Sequence, residues 1–574
     1  MTQKRKVFFD ELIDTILDLE KPTEVQINNL KIEFAKKHKV EGIVKNPEII
    51  ANSSEEKREE LIKKLNIKPI RELSGVTVVA LFSKPHKCPH GKCIYCPGGV
   101  GSPFGDTPQS YTGQEPAAMR AKRNEYDPYM QIFNRLEHYC INGHKPDKIE
   151  MIFMGGTFPS LDKEYKDDFV MNSYKAINDF GDIFIKDDGK IDYDKLYEFF
   201  ELEKKLNDET KAKNVREKVL ELKTKNITDY KSEIKRNETA KLRCIGLTIE
   251  TKPDWCLEKQ LKEMLDFGTT RIELGVQTLN DENLKKTNRG HTLEETKLAF
   301  KTAKDMCFKI NAHMMLGLPF SKEEEDIENI KQLFEDENYK PDMIKFYPCL
   351  LTIGTPLFEL FKRGQFKPIT TQKASEIIAK SFKYIPRWTR VMRVQRDIPT
   401  TLLQGDGINR SNLRQLVELE MKDRSIESKD IRAREVGIRS LDGEKAGNFD
   451  IKVTEYNSSG GKEFFIESCD ENDSLIGFVR LRFPSQEGLL DEISIKTALI
   501  RELHVYGNTI PVGDESKHYQ HKGWGRNLME KAEEIALKNG YEKITIISGI
   551  GVREYYKKLG YKLEKHFMCK NLKI

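Results

Sequence analysis

The chain has 574 residues, room for several domains at roughly 150 residues each, so a single small module is excluded. Charged residues make up 33% and apolar ones 38%, a polar balance, but 9% aromatics exclude a disordered chain. Lys and Arg number 96 against 92 Asp and Glu, and the formal +4 excludes a grossly basic nucleic-acid coat while leaving room for a local basic groove. No apolar run is long enough to span a bilayer. The basic N-terminal stretch is broken by Asp10, Glu11 and Asp14, unlike a signal peptide, so a cytoplasmic, non-membrane protein is expected. The 10 cysteines are too sparse for a disulfide scaffold, yet Cys88, Cys93 and Cys96 cluster in one short stretch. In a reducing compartment that pattern points to metal or redox chemistry.

Residues 1–70 read as a helical region. Leu12, Ile13, Ile16 and Leu17 have the spacing of one helical face, and Leu30, Ile32 and Phe34 follow more loosely. Its lysines, Lys36, Lys37, Lys39, Lys63 and Lys64, belong either to a solvated helical surface or to an arm that touches RNA. From 71 to 400, β-rich runs alternate with amphipathic stretches. The runs are 76–82, 149–154, 245–249, 271–276, 310–316 and 344–347. Such alternation predicts an α/β domain with a parallel sheet, and six strands suit a partial β/α (TIM-like) barrel. A charged insertion at 162–240 reads as helical and exposed. Residues 401–450 read as a connector. From 451 to 574 the pattern becomes α+β: strands at 463–468, 474–483 and 494–507, a glycine loop, a helix near 524–539, a strand at 544–547 and a short helix near 552–559.

Two stretches carry chemistry. Cys88-Pro-His-Gly-Lys-Cys93-Ile-Tyr-Cys96 follows a strand. Three thiolates on one loop can hold three corners of a cubane iron–sulfur cluster and leave one iron open. The same residues with His86 or His90 would make a Cys₃His zinc site. After the next strand, Gly155-Gly156-Thr157 offers small residues that let a backbone edge approach a ligand. Far downstream, Gln520-His-Lys-Gly523-Trp524-Gly525 precedes a helix, where successive N–H groups make an anion site suited to a pyrophosphate. Tyr555 and Tyr556 lie on the last helix, as site residues or as ordinary packing. Two basic patches stand out. Arg387, Arg390, Arg393 and Arg396 surround Trp388, fit either for phosphate and base contacts or for ion pairs with acids such as Asp397. Arg120, Lys122 and Arg123 form a shorter one.

The cysteine loop and the Gly-Gly turn resemble the radical S-adenosylmethionine superfamily, although the first cysteine gap is one residue longer than its usual spacing. The C-terminal order resembles the Gcn5-related N-acetyltransferase fold. Longer strings, among them Gln109-Ser-Tyr-Thr-Gly113, Met154-Gly-Gly-Thr-Phe158, Ile249-Glu-Thr-Lys-Pro-Asp254, Thr287-Asn-Arg-Gly-His-Thr292, Val394-Gln-Arg-Asp-Ile-Pro399 and Arg501-Glu-Leu-His-Val-Tyr-Gly507, are similar to the catalytic subunits of Elongator and their stand-alone archaeal relatives.

That resemblance implies a tRNA-modifying acyltransferase acting on the wobble uridine of the anticodon loop. It implies a [4Fe-4S] cluster, S-adenosylmethionine, an electron donor and acetyl-CoA as carbon source, with 5-carboxymethyluridine as product. Carbon 5 of uracil is a poor nucleophile, which gives a radical route its rationale: an adenosyl radical takes hydrogen from the acetyl methyl, the carbon radical adds to the base, and thioester hydrolysis leaves a carboxymethyl group. By the same resemblance the cluster ligands are Cys88, Cys93 and Cys96. Coenzyme contacts fall on Glu502, Leu503, His504, Val505, Trp524, Gly525, Arg526 and Tyr556. Lys148, otherwise a plain surface lysine, matches a family lysine that approaches the coenzyme. Accessory subunits are compatible with the sequence but not required by it. The competing expectations are a protein lysine acetyltransferase with a structural iron–sulfur domain, and a tRNA-binding module with structural zinc.

Overall fold

The computed structural model describes residues 3–40, 42, 44–65, 75–202, 209–441, 443, 447–486, 488–506 and 523–572. The chain forms two compact units, one of residues 1–79, 127–149 and 170–244, the other of residues 80–126, 150–169 and 245–574.

In the first unit the N-terminal helices bury the expected apolar face: Phe8, Leu12, Ile16, Ile27, Ile49 and Leu61 share one core. Lys37 pairs with Glu11 at 2.5 Å and Lys63 with Glu59 at 3.4 Å. Lys64 bonds the carbonyls of Leu17 and Leu19, while Lys36 and Lys39 stay exposed. The insertion corrects the expectation of an exposed appendage. Its helix Lys163–Phe184 buries Tyr174, Ile177, Phe180 and Phe184 completely. Phe180 meets Phe133 edge-on at 5.4 Å, and Tyr193 packs on the N-terminal core. Its many charges lie on the far faces of amphipathic helices, which is why composition alone misreads it.

The first sheet has seven strands in strict sequence order: β1 (Thr77–Phe82), β2 (Lys148–Met154), β3 (Arg243–Thr251), β4 (Thr269–Gln277), β5 (Lys309–Leu316), β6 (Met343–Pro348) and β7 (Arg390–Arg393). Pairing is parallel from β3 through β7. Strands laid down in order by right-handed crossovers put every connecting helix on one face. The other face curls on itself, giving a partial barrel. β7 is one strand more than expected, hidden in the sequence by its arginines.

The second sheet runs β13-β14-β12-β11-β10-β9-β8. Its strands are β8 (Asp450–Ser458), β9 (Gly461–Cys469), β10 (Leu475–Phe483), β11 (Thr497–Val505), β12 (Lys543–Ile546), β13 (Lys562–Glu564) and β14 (Phe567–Asn571). All pairs are antiparallel except β11–β12. That parallel pair needs a crossover, supplied by helix Trp524–Lys538, whose Leu528, Met529, Ala532 and Ala536 pack on Ile466, Val479, Ile500 and Ile544. Residues 401–450 are not a bare connector: helix Leu413–Asp423 buries Leu413, Val417 and Met421.

The opposite face of this sheet is charged, buried, and docked on the starts of the barrel strands. Arg501 grips Asp342, just before β6, at 2.8 and 2.5 Å, and donates to the Phe308 carbonyl just before β5 at 2.8 Å. Arg482 grips Asp305 at 2.8 and 2.6 Å, and both arginines also reach Glu463. Arg480 spans Glu502 at 2.8 Å and Asp342 at 3.6 Å. The Cys307 thiol meets the Ile500 carbonyl at 3.2 Å, and His566 meets Asp266, just before β4, at 2.9 Å. Burial alone would raise the Asp342 carboxyl, but Arg501 and Arg480 hold it far below the usual carboxylate range.

Truncating one partner of such a pair strands the others unpaired in the interior. Arg501→Met is expected to lower stability by about 3–5 kcal/mol, read as a shift of the denaturant midpoint. Loss of the exposed pair between Lys557 and Glu554 is expected to change it by less than about 1 kcal/mol. Because the folded Asp342 pKa lies below its unfolded value, its contribution is complete above about pH 4 and lost progressively on acidification below it.

Candidate active site

The thiol loop sits at the C-terminal ends of the barrel strands, where parallel sheets bind ligands. Two tight turns shape it, Gly91 N–H to the Cys88 carbonyl and Cys96 N–H to the Cys93 carbonyl, both 3.0 Å. Ile94 is tied to the Thr287 carbonyl at 3.1 Å. Cys93 and Cys96 are buried and Cys88 half-buried. Cys96 sulfur receives the Ser110 N–H at 3.3 Å and touches the Gln109 amide at 3.2 Å. His90 Nε2 lies 3.4 Å from Cys93 sulfur and the Arg289 guanidinium 3.8 Å from it. Lys252 lies 3.0 Å from His90 Nδ1, and a side chain at Gly290 would collide with His90. Burial pushes the Cys88 thiol up to about 11 and raises Cys96 as well. A metal centre there must displace protons, and the Lys252 and Arg289 cations offset the charge that results.

The turn after β2 lies against this loop. Gly155 and Gly156 have φ of +126° and +104°. A Cβ on Gly155 would stand 2.6 Å from Ser83 Oγ, and one on Gly156 2.9 Å from Gln109 Cβ and 3.8 Å from Cys88 sulfur. Both backbone angle and space require glycine here, so the Gly155-Gly156-Thr157 edge is held open beside the thiols. Gln109, wedged against Gly99, Gly156 and Cys96, ties the loop to the turn. Of the two histidines, His90 stands at the thiols, while His86 bonds Ser160 and the Lys84 carbonyl. Among the described residues no three His, Cys, Asp or Glu side chains converge to hold one ion. Three thiols on one loop, with the Arg289 cation beside Cys93 and the glycine edge beside Cys88, are a donor set that fits three corners of a cluster.

At the other end of the barrel lies β11, the strand expected to meet the coenzyme. β11 pairs with β12 only through Ile500, so residues 501–505 present a backbone edge that β12 does not cover. A bulge between the Arg480 and Leu481 registers gives β11 one extra residue. Ala498, Ile500, Leu503 and Val505 all pack on the apolar core, so Arg501 and Glu502 both turn toward the barrel. Burial alone would raise the Glu502 carboxyl, but Lys309 and Arg480 hold it below its ordinary value. His504 stacks on Phe478 at 5.9 Å and is lowered by burial. Gly523, at φ +84°, starts helix Trp524–Lys538. Trp524 meets Phe449 at 5.7 Å, and Arg526 is exposed. Gln520 lies outside the described residues. The two tyrosines separate: Tyr556 is buried in the core, whereas Tyr555 is 40% exposed and places its hydroxyl over Gly525. Lys148 opens β2, half-buried, within the first unit.

The residues that sequence reasoning missed lie between these ends, on the inner faces of the strands. Glu273 accepts from Asn311 at 3.2 Å, His313 at 2.8 Å and Lys345. Arg271 pairs with Glu150. Tyr111 donates to Glu250 at 3.0 Å. Burial and the neighbouring Glu273 push the Glu250 carboxyl up to about 7. Burial takes His313 down to about 4, so it is a neutral imidazole whose Nε2–H donates. The signal was present: parallel strands covered on both faces read as continuous apolar runs, yet Arg271-Ile-Glu-Leu and Lys309-Ile-Asn-Ala-His-Met alternate.

The basic stretch takes the second of its two expected readings. Arg387 pairs with Glu467 and Asp473, Arg390 with Glu435 and Arg393 with Asp397, so these are ion pairs rather than phosphate forks. Trp388 stacks on Tyr456 at 4.0 Å, and no base can take that face. Arg120 is buried with its guanidinium on the Ala80 carbonyl, leaving Lys122 and Arg123 exposed.

Residues 83–333 match the Radical SAM superfamily, 341–423 the Radical_SAM C-terminal domain, 6–73 the ELP3 N-terminal domain and 436–561 the Acetyltransferase (GNAT) family. The tRNA uridine(34) acetyltransferase of Methanocaldococcus jannaschii is 43% identical, over 95% of this chain and 94% of its own. Elongator complex protein 3 of Homo sapiens is 39% identical, over 96% and 94%. The chain belongs to the Elongator complex protein 3 family. A solved structure, the archaeal Methanocaldococcus infernus Elp3 with its N-terminus deleted, superposes with a TM-score of 0.70 at 36% identity, covering 87% of this chain and all of that one. The Radical SAM domain brings a [4Fe-4S] cluster and S-adenosylmethionine, and the GNAT domain brings acetyl-CoA.

Cys93→Ala is expected to cut bound iron from about four per chain to under about one in iron and sulfide analysis. Gly156→Ala is expected to retain iron but weaken S-adenosylmethionine binding at least about tenfold, measured by equilibrium dialysis. Retained iron in Cys93→Ala would refute the ligand assignment.

Proposed function

We propose that this protein carboxymethylates carbon 5 of the wobble uridine in the tRNA anticodon loop, with acetyl-CoA as the carbon donor. The observation that carries the reading is the ionic docking that sets the coenzyme strand at one end of a polar barrel interior whose other end is the thiol loop. When bound, the cluster and S-adenosylmethionine supply the one-electron carbon chemistry that uracil carbon 5, a weak nucleophile, requires. Cys88, Cys93 and Cys96 would hold the cluster and leave one iron for the amino acid end of S-adenosylmethionine. The Gly155-Gly156-Thr157 edge would receive its amino group. The uncovered backbone of Glu502, Leu503, His504 and Val505 would pair with the pantetheine amides. The helix-start turn at Gly523, Trp524, Gly525 and Arg526, with Gln520 before it in sequence, would hold the pyrophosphate. Tyr555, over that turn, and Tyr556, packed beneath it, would lie near the coenzyme sulfur, and Lys148 would approach the acyl group. The base must be unstacked to enter, as single-stranded loop bases are. The reaction needs an external electron donor, and we place it in the cytoplasm, in keeping with the finding that no helix among the described residues is long and apolar enough to cross a membrane.

Incubation of tRNA with carbon-labelled acetyl-CoA, S-adenosylmethionine and reductant is expected to yield labelled 5-carboxymethyluridine by nucleoside mass spectrometry. Omitting either S-adenosylmethionine or reductant is expected to abolish it. Label reaching only protein lysines would overturn the reading.

A further inference from the structure

The inner wall of this barrel is built the wrong way round for a packed core. Barrel interiors are ordinarily filled by bulky branched apolar side chains. Here the apolar residues Ile249, Ile272, Leu274, Ile310, Ala312, Ile344 and Phe346 are the alternates that face the helices. The inner positions carry Thr248, Glu250, Arg271, Glu273, Lys309, Asn311, His313 and Lys345. Buried polar groups are costly unless hydrogen-bonded, and almost all of these are. One is not.

Asn311 is fully buried, and its side-chain oxygen has no partner. Its orientation is dictated by its neighbour. Asn311 stands directly across from Glu273 in the β4–β5 register. A carboxylate that already takes the Lys345 ammonium and the His313 N–H can only accept, so the Asn311 amide must turn its nitrogen to Glu273 and its oxygen away. An orphan acceptor in a buried polar site is costly to leave unmet, so a donor is called for. The adjoining strand offers complementary groups. Lys345 spends one N–H on Glu273 and keeps others. Further up the wall, the Arg396 guanidinium lies between the rings of Tyr111 and Tyr347, 5.9 and 5.8 Å from their centroids. Aromatic and guanidinium planes of this kind are what unstacked bases rest on.

Resting on the function proposed above, we propose that Asn311 is the residue that reads the target base, its side-chain oxygen accepting the N3–H of uracil while Lys345 donates to a flanking carbonyl. An acyl thioester has only acceptors and cannot satisfy Asn311. Cytosine presents a bare ring nitrogen at the same position and would be repelled. The adenine of S-adenosylmethionine has an amino donor, but depth argues against it. Asn311 lies five residues below the C-terminal end of β5, about 16 Å from the end that carries the thiol loop. It is instead two residues from Lys309, the neighbour of Glu502 on the coenzyme strand. That is where the base must wait for a two-carbon unit arriving from the coenzyme.

The test uses reconstituted holoenzyme and two tRNAs differing only in a methyl group on N3 of the wobble uridine. Wild type is expected to prefer the unmethylated substrate by about 100-fold in kcat/KM, the scale for sites built around a substrate N–H. Asn311→Ala is expected to lose about tenfold on unmethylated tRNA while its penalty for the methyl falls to about threefold. Asn311→Ser, smaller but polar, gives the same comparison should the alanine variant unfold, and thermal melting reports folding for both. KM values for S-adenosylmethionine and acetyl-CoA are expected to stay within about twofold of wild type. Equal turnover of both tRNAs by wild type overturns the proposal. So does a full methyl penalty retained in both variants, and so does a KM for S-adenosylmethionine raised with that penalty intact, which would assign Asn311 to adenine. No carboxymethyl product from wild type on unmethylated tRNA defeats the function itself, a distinct result.

Discussion

The structure depends on the burial of Arg501 between Asp342 and Glu463. All three are essentially inaccessible to solvent. Taking such charges out of water is not a cheap route to stability, and an apolar contact of the same size could do as well or better. What the charges impose is register. Apolar faces tolerate sliding, whereas a forked guanidinium on one carboxylate has one geometry. Arg501 also fastens to the Phe308 carbonyl, and Arg480 to the backbone of Asp342, so the acetyltransferase sheet is locked to the chain at the very starts of β5 and β6. The β11 bulge makes this possible. Without its extra residue Arg501 and Glu502 would face opposite ways. With it one side chain anchors the docking while its neighbour looks into the barrel toward Lys309.

The partial barrel supplies the second constraint. Strand order β1 to β7 without a reversal puts all helices outside, so the inner face has no apolar layer to meet. It is filled instead by polar groups set across from one another, Glu250 beside Glu273, Glu273 beside Asn311 and His313 beside Lys345, with Glu273 held by Asn311, His313 and Lys345 and Glu250 by Tyr111. Those pairings cross three strand boundaries, so the wall is rigid through its side chains as well as its ladder. A site whose groups are already paired needs little reorganisation when charge shifts within it.

Much of this was legible in the sequence, and the misses share a cause. The β-rich runs, the thiol loop and the glycine turn were readable because strand period, cysteine spacing and positive-φ glycines are local. Ion pairing is not local. Arg387, Arg390 and Arg393 resemble a phosphate-binding row until Glu467, Glu435 and Asp397 arrive from elsewhere in the chain. For the same reason β7 was overlooked and the 162–240 segment mistaken for a solvated appendage. Its charges dominate the composition, and only its helical faces show that Tyr174 and Phe180 are core. Asn311 and His313 lay in a run correctly read as a strand, with Lys309 just before its expected start, but the side of the sheet a residue faces is set by where the helices go.

The docking also bears on why β11 has an open edge. β12 pairs with β11 for four residues and would cover it further if it ran on straight. The last link is Ile547 N–H to the Ile500 carbonyl at 3.2 Å. The chain then turns into the barrel's lower rim, where Gly549 lies so close to the Ile245 carbonyl that an added Cβ would stand 1.9 Å away. No other residue fits that contact. The segment that would have closed the edge is thus held by the barrel, and the backbone of Glu502 to Val505 is left to pair with something else. An open edge on β11 and attachment to the barrel meet at one point, where the chain leaves Ile547 for Gly549.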